Sequence, residues 1–160
     1  MSRRAGNESP PEKGAGEPLQ ALMSASREYS TAAVVFHNAV AGRFGLSVTD
    51  LKALDVLQRV GPQTAGDIAR HTGLASASIT SLIDRLETKR LVRRRRDAAD
   101  RRRVLVEVTA TLEKTVAPVF APLNARLLAR VREYGEAEMA LIRGFLEGAA
   151  SDMRDEASKV

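Results

Sequence analysis

Apolar and small side chains recur every three or four positions from Leu19 to Phe44, at Leu22, Ser26, Tyr29, Ala33, Phe36 and Val40. That spacing puts them on one stripe and predicts a long helix with a seam. Gly45 ends the helix, and Ser47 with Asp50 has the spacing of a capping box. A second helix is therefore predicted to about Val60, with Leu51, Leu54 and Leu57 turned inward. "GPQTAGD" reads as a turn, after which Thr64 and Asp67 repeat the cap pattern at the start of a short helix ending near His71. Beyond Gly73 a further helix begins near Ala75 or Ser76. Its apolar stripe is Ile79, Leu82, Ile83 and Leu86, which leaves Ser76, Ala77, Thr80, Ser81 and Arg85 on the opposite face.

After Leu91 the period changes from 3.6 to 2. Val104, Val106 and Val108 alternate with Leu105 and Glu107, the pattern of a strand with one buried face. Leu91 and Val92 anchor a partner strand, with "RDAADR" left for the hairpin connection. From about Ala110 to Tyr134, and from Glu136 to about Arg154, the pattern is helical again. Pro118 and Pro122 should kink the first of these or delay its regular part, since each removes a backbone donor. Met139, Ile142, Leu146, Ala149 and Met153 repeat the three-four spacing, so both ends of the chain carry apolar seams that one small core does not partner.

The expected fold is thus mainly α with a small antiparallel β-hairpin, a winged helix-turn-helix over residues 47–109. Residues 19–46 and 110–156 flank it as helices. Residues 1–18, "MSRRAGNESPPEKGAGEP", lack the apolar stretch of a signal peptide and read as a disordered leader. No stretch approaches the roughly 18 apolar residues of a membrane span, so the expectation is a cytoplasmic protein with no membrane partner.

Charge changes the picture at one place. Residues 90–103, "RLVRRRRDAADRRR", hold eight arginines in fourteen positions. From Arg85 to Arg103 ten basic residues face three acidic ones, so this segment carries +7 and the remaining chain −2 of the net +5. A mildly acidic protein with one strongly basic segment points to a localised polyanion site.

The turn between the third and fourth helices suits helix-turn-helix geometry. Ala69 permits close crossing, Gly73 can take positive φ, and Ile68, Leu74, Ile79 and Leu82 bury the junction. A recognition helix presents short polar side chains to the major groove and a long basic one to a phosphate or guanine edge. Ser76, Ala77, Thr80, Ser81 and Arg85 fit that role, with Thr64 beside them. A hairpin tip bearing Arg101, Arg102 and Arg103 is narrow enough for a minor groove, whose concentrated negative potential attracts arginine. Asp100 is expected to hold Arg102 extended through an ion pair.

"TAGDIARHTGLASASITSLIDRLETKRLVRRRRDAADRRRVLVEVT", residues 64–109, resembles the MarR (multiple antibiotic resistance regulator) family of winged-helix transcription factors. The tract D-x-x-D-R-R, here Asp97, Asp100, Arg101 and Arg102, followed by alternating apolar residues and Thr109, is similar to that family's wing signature. The resemblance implies a homodimer whose N- and C-terminal helices interlock, bound to double-stranded DNA at a pseudo-palindromic operator. It further implies a repressor released by a small-molecule effector, with Arg102 inserted in the minor groove and Asp100 orienting it. Two positions depart from the family pattern: Arg90 stands where glycine commonly ends the recognition helix, and Leu112 where glycine is frequent after the wing.

Other chemistry finds little footing. The chain has no cysteine, which excludes disulfides and thiol catalysis. His37 and His71 are not in metal-ligand spacing, and there is neither a phosphate loop nor a nucleophile elbow. No enzyme, metal or cofactor is expected. Phe36, His37 and Val40 are the candidates for an effector pocket. Two alternatives stay open at this level, a winged-helix protein-interaction module and a sequence-independent architectural DNA binder. The dense basic hairpin argues against the first, and preference for one site over random duplex separates the second.

Overall fold

The computed structural model describes residues 16–159, with the backbone alone at residues 76 and 77. In chain order the elements are α1 (Gly16–Phe44), α2 (Val48–Val60), β1 (Gln63–Thr64), α3 (Ala65–Thr72), α4 (Ser76–Thr88), β2 (Val92–Arg96), β3 (Val104–Val108), α5 (Ala110–Thr115), α6 (Ala117–Val131) and α7 (Glu136–Ala157). Both predicted capping boxes are present. Ser47 and Asp50 exchange side-chain-to-backbone hydrogen bonds of 2.8 and 3.1 Å at the start of α2, and Thr64 and Asp67 do the same at the start of α3. These satisfy backbone N–H groups that a helix start otherwise leaves unpaired.

Gly73 joins α3 to α4 at φ +71, the left-handed conformation that the tight turn demands and that glycine adopts without penalty. α4 ends differently. Arg90 has φ +59, its N–H bonds the Glu87 carbonyl at 2.8 Å, and the Leu91 N–H bonds the Leu86 carbonyl at 3.0 Å. This pair of bonds is a Schellman motif, closed by contact between the buried Leu86 and Leu91. An arginine thus occupies the position where glycine was expected, and the helix terminates there regardless.

One apolar core joins the middle of the chain. Val40 and Ala41 of α1 pack with Leu51, Leu54 and Leu57 of α2, Ile68 of α3, the whole predicted stripe of α4, Leu91, Val92, Val106, and Leu112 and Val116 beyond the wing. The core therefore crosses both expected boundaries of the winged-helix unit. Leu112 is one of its fully buried side chains.

Three expectations need correction. α1 begins at Gly16, so residues 16–18 of the expected leader are helical; Glu17 suits the positive end of the helix, and Pro18 lies in the first turn, where a missing N–H costs nothing. The remainder of that leader lies outside the described residues. The stretch read as a turn contains β1, which pairs antiparallel with β3 (Gln63 opposite Val106, Thr64 opposite Leu105), giving a three-stranded sheet of order β1-β3-β2. Within β3 the alternation is imperfect. Val104 lies near the hairpin tip, beyond the core, and is 48% exposed, while Leu105 and Val106 are buried. The helix expected over 110–134 is interrupted, as its prolines imply: it divides at Val116, and the regular part begins only with α6, which has Pro118 in its first turn and Pro122 inside it.

The outer helices are different in kind. Upstream of Phe36, α1 exposes Leu19, Leu22, Met23, Tyr29, Val34 and Val35, and no residue of α7 is buried. Among the described residues no helix is long and apolar enough to cross a membrane.

Candidate nucleic-acid interface

The candidate recognition helix, α4, is anchored first by its apolar stripe, with Ile79, Leu82, Ile83 and Leu86 all at most 2% exposed. Thr80 and Ser81 stand exposed on the opposite side. Ser76 and Ala77 open the helix, and their side chains lie outside the described residues. Ser78 is also exposed and lines a shallow groove with Ser81, Arg85, Ser47 and Thr49. The sequence reading missed it, although its i+3 and i+7 relation to Ser81 and Arg85 places it beside them.

Arg85 is more than a surface cation. Its Nε and Nη2 donate to the two oxygens of Asp50 at 3.1 and 2.6 Å, and Asp50 is fully buried at the start of α2. Burial opposes ionisation of that carboxyl. The Arg85 hydrogen bonds, reinforced by those from Ser47, outweigh it and hold Asp50 below the ordinary carboxylate value. The Arg85 side chain stays 45% exposed, and its Nη1 has no hydrogen-bond partner among the described residues. The guanidinium fork therefore anchors the helix while keeping donors available. Thr64 is committed locally, since its hydroxyl donates to Asp67 at 2.6 Å within the cap of α3.

The arginine run forms the wing. β2 and β3 pair from Val92 opposite Val108 to Arg96 opposite Val104, and the turn between them is closed by Asp97 N–H to the Arg103 carbonyl at 3.0 Å. Alternation along β2 sorts the arginines. Arg93 and Arg95 project to one face, where Glu107 binds both at 2.6–2.7 Å. Hydrogen bonds from Arg95 and then Arg93 hold the Glu107 carboxyl below its ordinary value. Arg94 turns the other way, onto Asp84 and Glu87 of α4.

At the tip, Arg101 and Arg102 are exposed and have no carboxylate within ion-pair reach among the described residues; the same holds for Arg96. Arg103 faces Asp97 at a loose 3.8 Å. The expected ion pair between Asp100 and Arg102 is replaced by a hydrogen bond to backbone: Asp100 Oδ1 accepts the Arg102 N–H at 3.0 Å. A short acid two residues earlier reaches the amide more readily than the end of a long side chain. Asp100 thus shapes the turn from which Arg102 projects and leaves the guanidinium unengaged.

On the far side of α2 a cavity of about 310 Å³ opens between α1, α2, α5 and α6. His37, Lys52, Asp55, Gln58, Phe120 and Asn124 contribute to its walls. Phe36 buttresses it, edge-on to His37 at 5.8 Å and to Phe120 at 5.5 Å between ring centres. Val40, expected there, is instead buried in the core beside Ala41. The first, second and fifth helices of the sequence reading are the ones expected to line such a pocket, and they do; the individual α2 and α6 side chains carry no sequence signal that singles them out.

Comparison with known proteins bears on this arrangement. A family model described as "MarR family" matches residues 44–103, and the HTH-type transcriptional regulator YcgE of Bacillus subtilis (strain 168) is 40% identical over 84% of this chain and 87% of its own. The protein belongs to the MarR family. It is accordingly a DNA-binding transcriptional regulator and not an enzyme. Among solved structures, a MarR family protein from Bacillus stearothermophilus superimposes with a TM-score of 0.64 at 20% identity, covering 86% of this chain and 96% of that one. NadR in complex with 4-hydroxyphenylacetate does so with a TM-score of 0.62 at 21% identity, covering 94% and 98%. At those identities the likeness speaks for the fold.

Proposed function

We propose that this MarR regulator binds a pseudo-palindromic operator as a cytoplasmic homodimer and acts as a ligand-responsive repressor. The observation that carries the DNA reading is the sorting of the arginines: Arg93, Arg94 and Arg95 are paired with carboxylates within the chain, while Arg96 at the end of β2 and Arg101 and Arg102 at the tip have no such partner among the described residues. Thr80, Ser81 and the free side of Arg85, together with Ser76 and Ala77, face the major groove in this reading. Arg101, Arg102 and Arg103 enter the adjacent minor groove. Thr64 contributes through the backbone at the start of α3, its hydroxyl being used by the cap.

The exposed apolar faces of α1 and α7 support a second copy as the covering surface. So does the groove of about 560 Å³ lined by Val131, Tyr134, Met139, Ile142 and Leu146. Two recognition helices then lie about 34 Å apart, one helical turn of DNA. The cavity beside His37 is of a size for a small effector, with Phe120 offering a ring face and Lys52, Asp55 and Gln58 polar contacts.

An anisotropy titration tests the reading, using duplex from upstream of the protein's own coding sequence, random duplex as competitor, and several salt concentrations. Tight, competitor-resistant binding at a two-fold-related site, weakening steeply with salt, is the expected result. Equal affinity for both duplexes would make the protein an architectural binder. No binding at low salt would leave a protein-interaction module.

A further inference from the structure

Arg94 is the arginine of the run that faces the recognition helix. Its Nη2 donates to Asp84 at 2.6 Å, its Nη1 to Glu87, and its backbone N–H to the other Glu87 oxygen at 3.0 Å. Three hydrogen bonds thus join β2 to α4, all made by one residue of the wing. Its side chain is 32% exposed, against 69% for Arg93.

We infer that Arg94 is a positioning residue for sequence discrimination, setting the angle between wing and recognition helix and masking the two carboxylates that α4 carries. The inference rests on the reading of α4 and the wing as the DNA-contacting elements.

The geometry shows why one residue matters so much. The base of the wing is secured by Leu91, Val92 and Val106 in the core and by the Thr109 N–H on the Leu91 carbonyl at 3.0 Å. On β2 Val92 is the last core side chain, with the tip five or more residues further on, roughly 17 Å at the rise of a strand, whereas β3 stays held by burial and by β1 as far as Leu105, opposite Arg95. A swing of about 10° at the base would carry the tip roughly 3 Å, comparable to a hydrogen-bond length and enough to lose register with a groove. β2 is an edge strand with no neighbouring strand on its outer side among the described residues, and Arg94, two residues past Val92, braces that strand against the swing while β1 holds β3. The second effect is electrostatic. Asp84 is 58% exposed and lies three and four residues from Ser81 and Thr80, hence on a neighbouring part of the same helix surface. Unmasked, it and Glu87 would repel DNA phosphates.

The test uses the full-length protein and compares wild type, Arg94→Met and the helix-side variant Asp84→Asn/Glu87→Gln. Each is titrated with operator and random duplex across a salt series, alongside a urea unfolding curve. For Arg94→Met the expected result is a loss of operator affinity of about tenfold, the size of a mismatched base pair, with a much smaller loss on random duplex. The operator salt slope should change by less than about one, because Arg94 contacts no phosphate and acts only through the carboxylates it masks. The helix-side variant keeps Arg94 and still loses operator preference, while its random-duplex affinity rises as carboxylates vanish and a cation is released. It carries the test if Arg94→Met fails to fold. A purely structural role would move the unfolding midpoint and leave the operator-to-random ratio at the wild-type value in both variants, which overturns the inference. So would equal losses on both duplexes with the salt slope reduced by about one, the mark of a phosphate ligand. A wild type that itself fails to discriminate would overturn the DNA reading, and this inference with it.

Discussion

The arginines of residues 85–103 divide into two populations that composition makes look alike. Arg85, Arg93, Arg94 and Arg95 are each held by a carboxylate at 2.6 Å or closer, whereas Arg96, Arg101 and Arg102 have none among the described residues and Arg103 only a loose one at 3.8 Å. Arg90 stands apart from both, spending its backbone on a left-handed helix stop. The difference teaches that a basic segment of this density does not act as a uniform polycation. About half of its charge builds the platform, and the remainder is displayed from it.

The largest expected effect comes from attacking the platform at its buried end. Arg85→Ala leaves the Asp50 carboxylate buried without a cation, and should lower unfolding stability by about 3 kcal/mol, the low end for a buried pair because Arg85 is half-exposed. Urea denaturation measures this, and a loss below about 0.5 kcal/mol would show the pair to be an idle surface contact. Asp50, Asp67 and Glu107 are all held below their ordinary values. Carboxylates of that kind contribute stability that is complete above the unfolded pKa and lost as pH falls through the folded one. Stability should therefore be level above about pH 5 and decline below about pH 4. Asp50→Asn should shallow that decline, and an unaltered slope would remove Asp50 from the account.

Arg102→Ala addresses the displayed population. Operator affinity should fall by about 2 kcal/mol, some thirtyfold, with the unfolding midpoint unmoved. Unchanged affinity would sink the minor-groove assignment. Arg90→Gly goes the other way, relieving an L-residue at φ +59. It should raise stability by about 1 kcal/mol without altering DNA affinity. The smallest effect is expected from Glu107→Gln, which frees Arg93 and Arg95. Such an exposed network should cost less than about 1 kcal/mol, while random-duplex binding strengthens slightly. Strong destabilisation there would mean that Glu107 braces the sheet.

Much of this was legible along the chain because it is local. Capping boxes at Ser47 and Thr64, the turn at Gly73, the stripe of α4 and the hairpin flanking Asp97 to Arg103 all arise from contacts within a few residues. β1 was not legible: two residues carry no period, and their strand character exists only through pairing with Val106 and Leu105. Nor was the exposure of Val104, which depends on where the core stops, or the cavity membership of Lys52 and Phe120.

What the sequence determined by itself was the order of the main helices and the hairpin, the helix limits set by caps and glycines, the hairpin's basic charge and the family signature. Each is written in spacing or in side chains that act on their own backbone. What only the tertiary structure decided was which arginines are spent and which are offered. Asp50 and Arg85 are 35 positions apart, and Glu87 meets Arg94 only once β2 folds back along α4. Ion pairs are chosen by distance in space, and packing of the apolar core is what sets that distance.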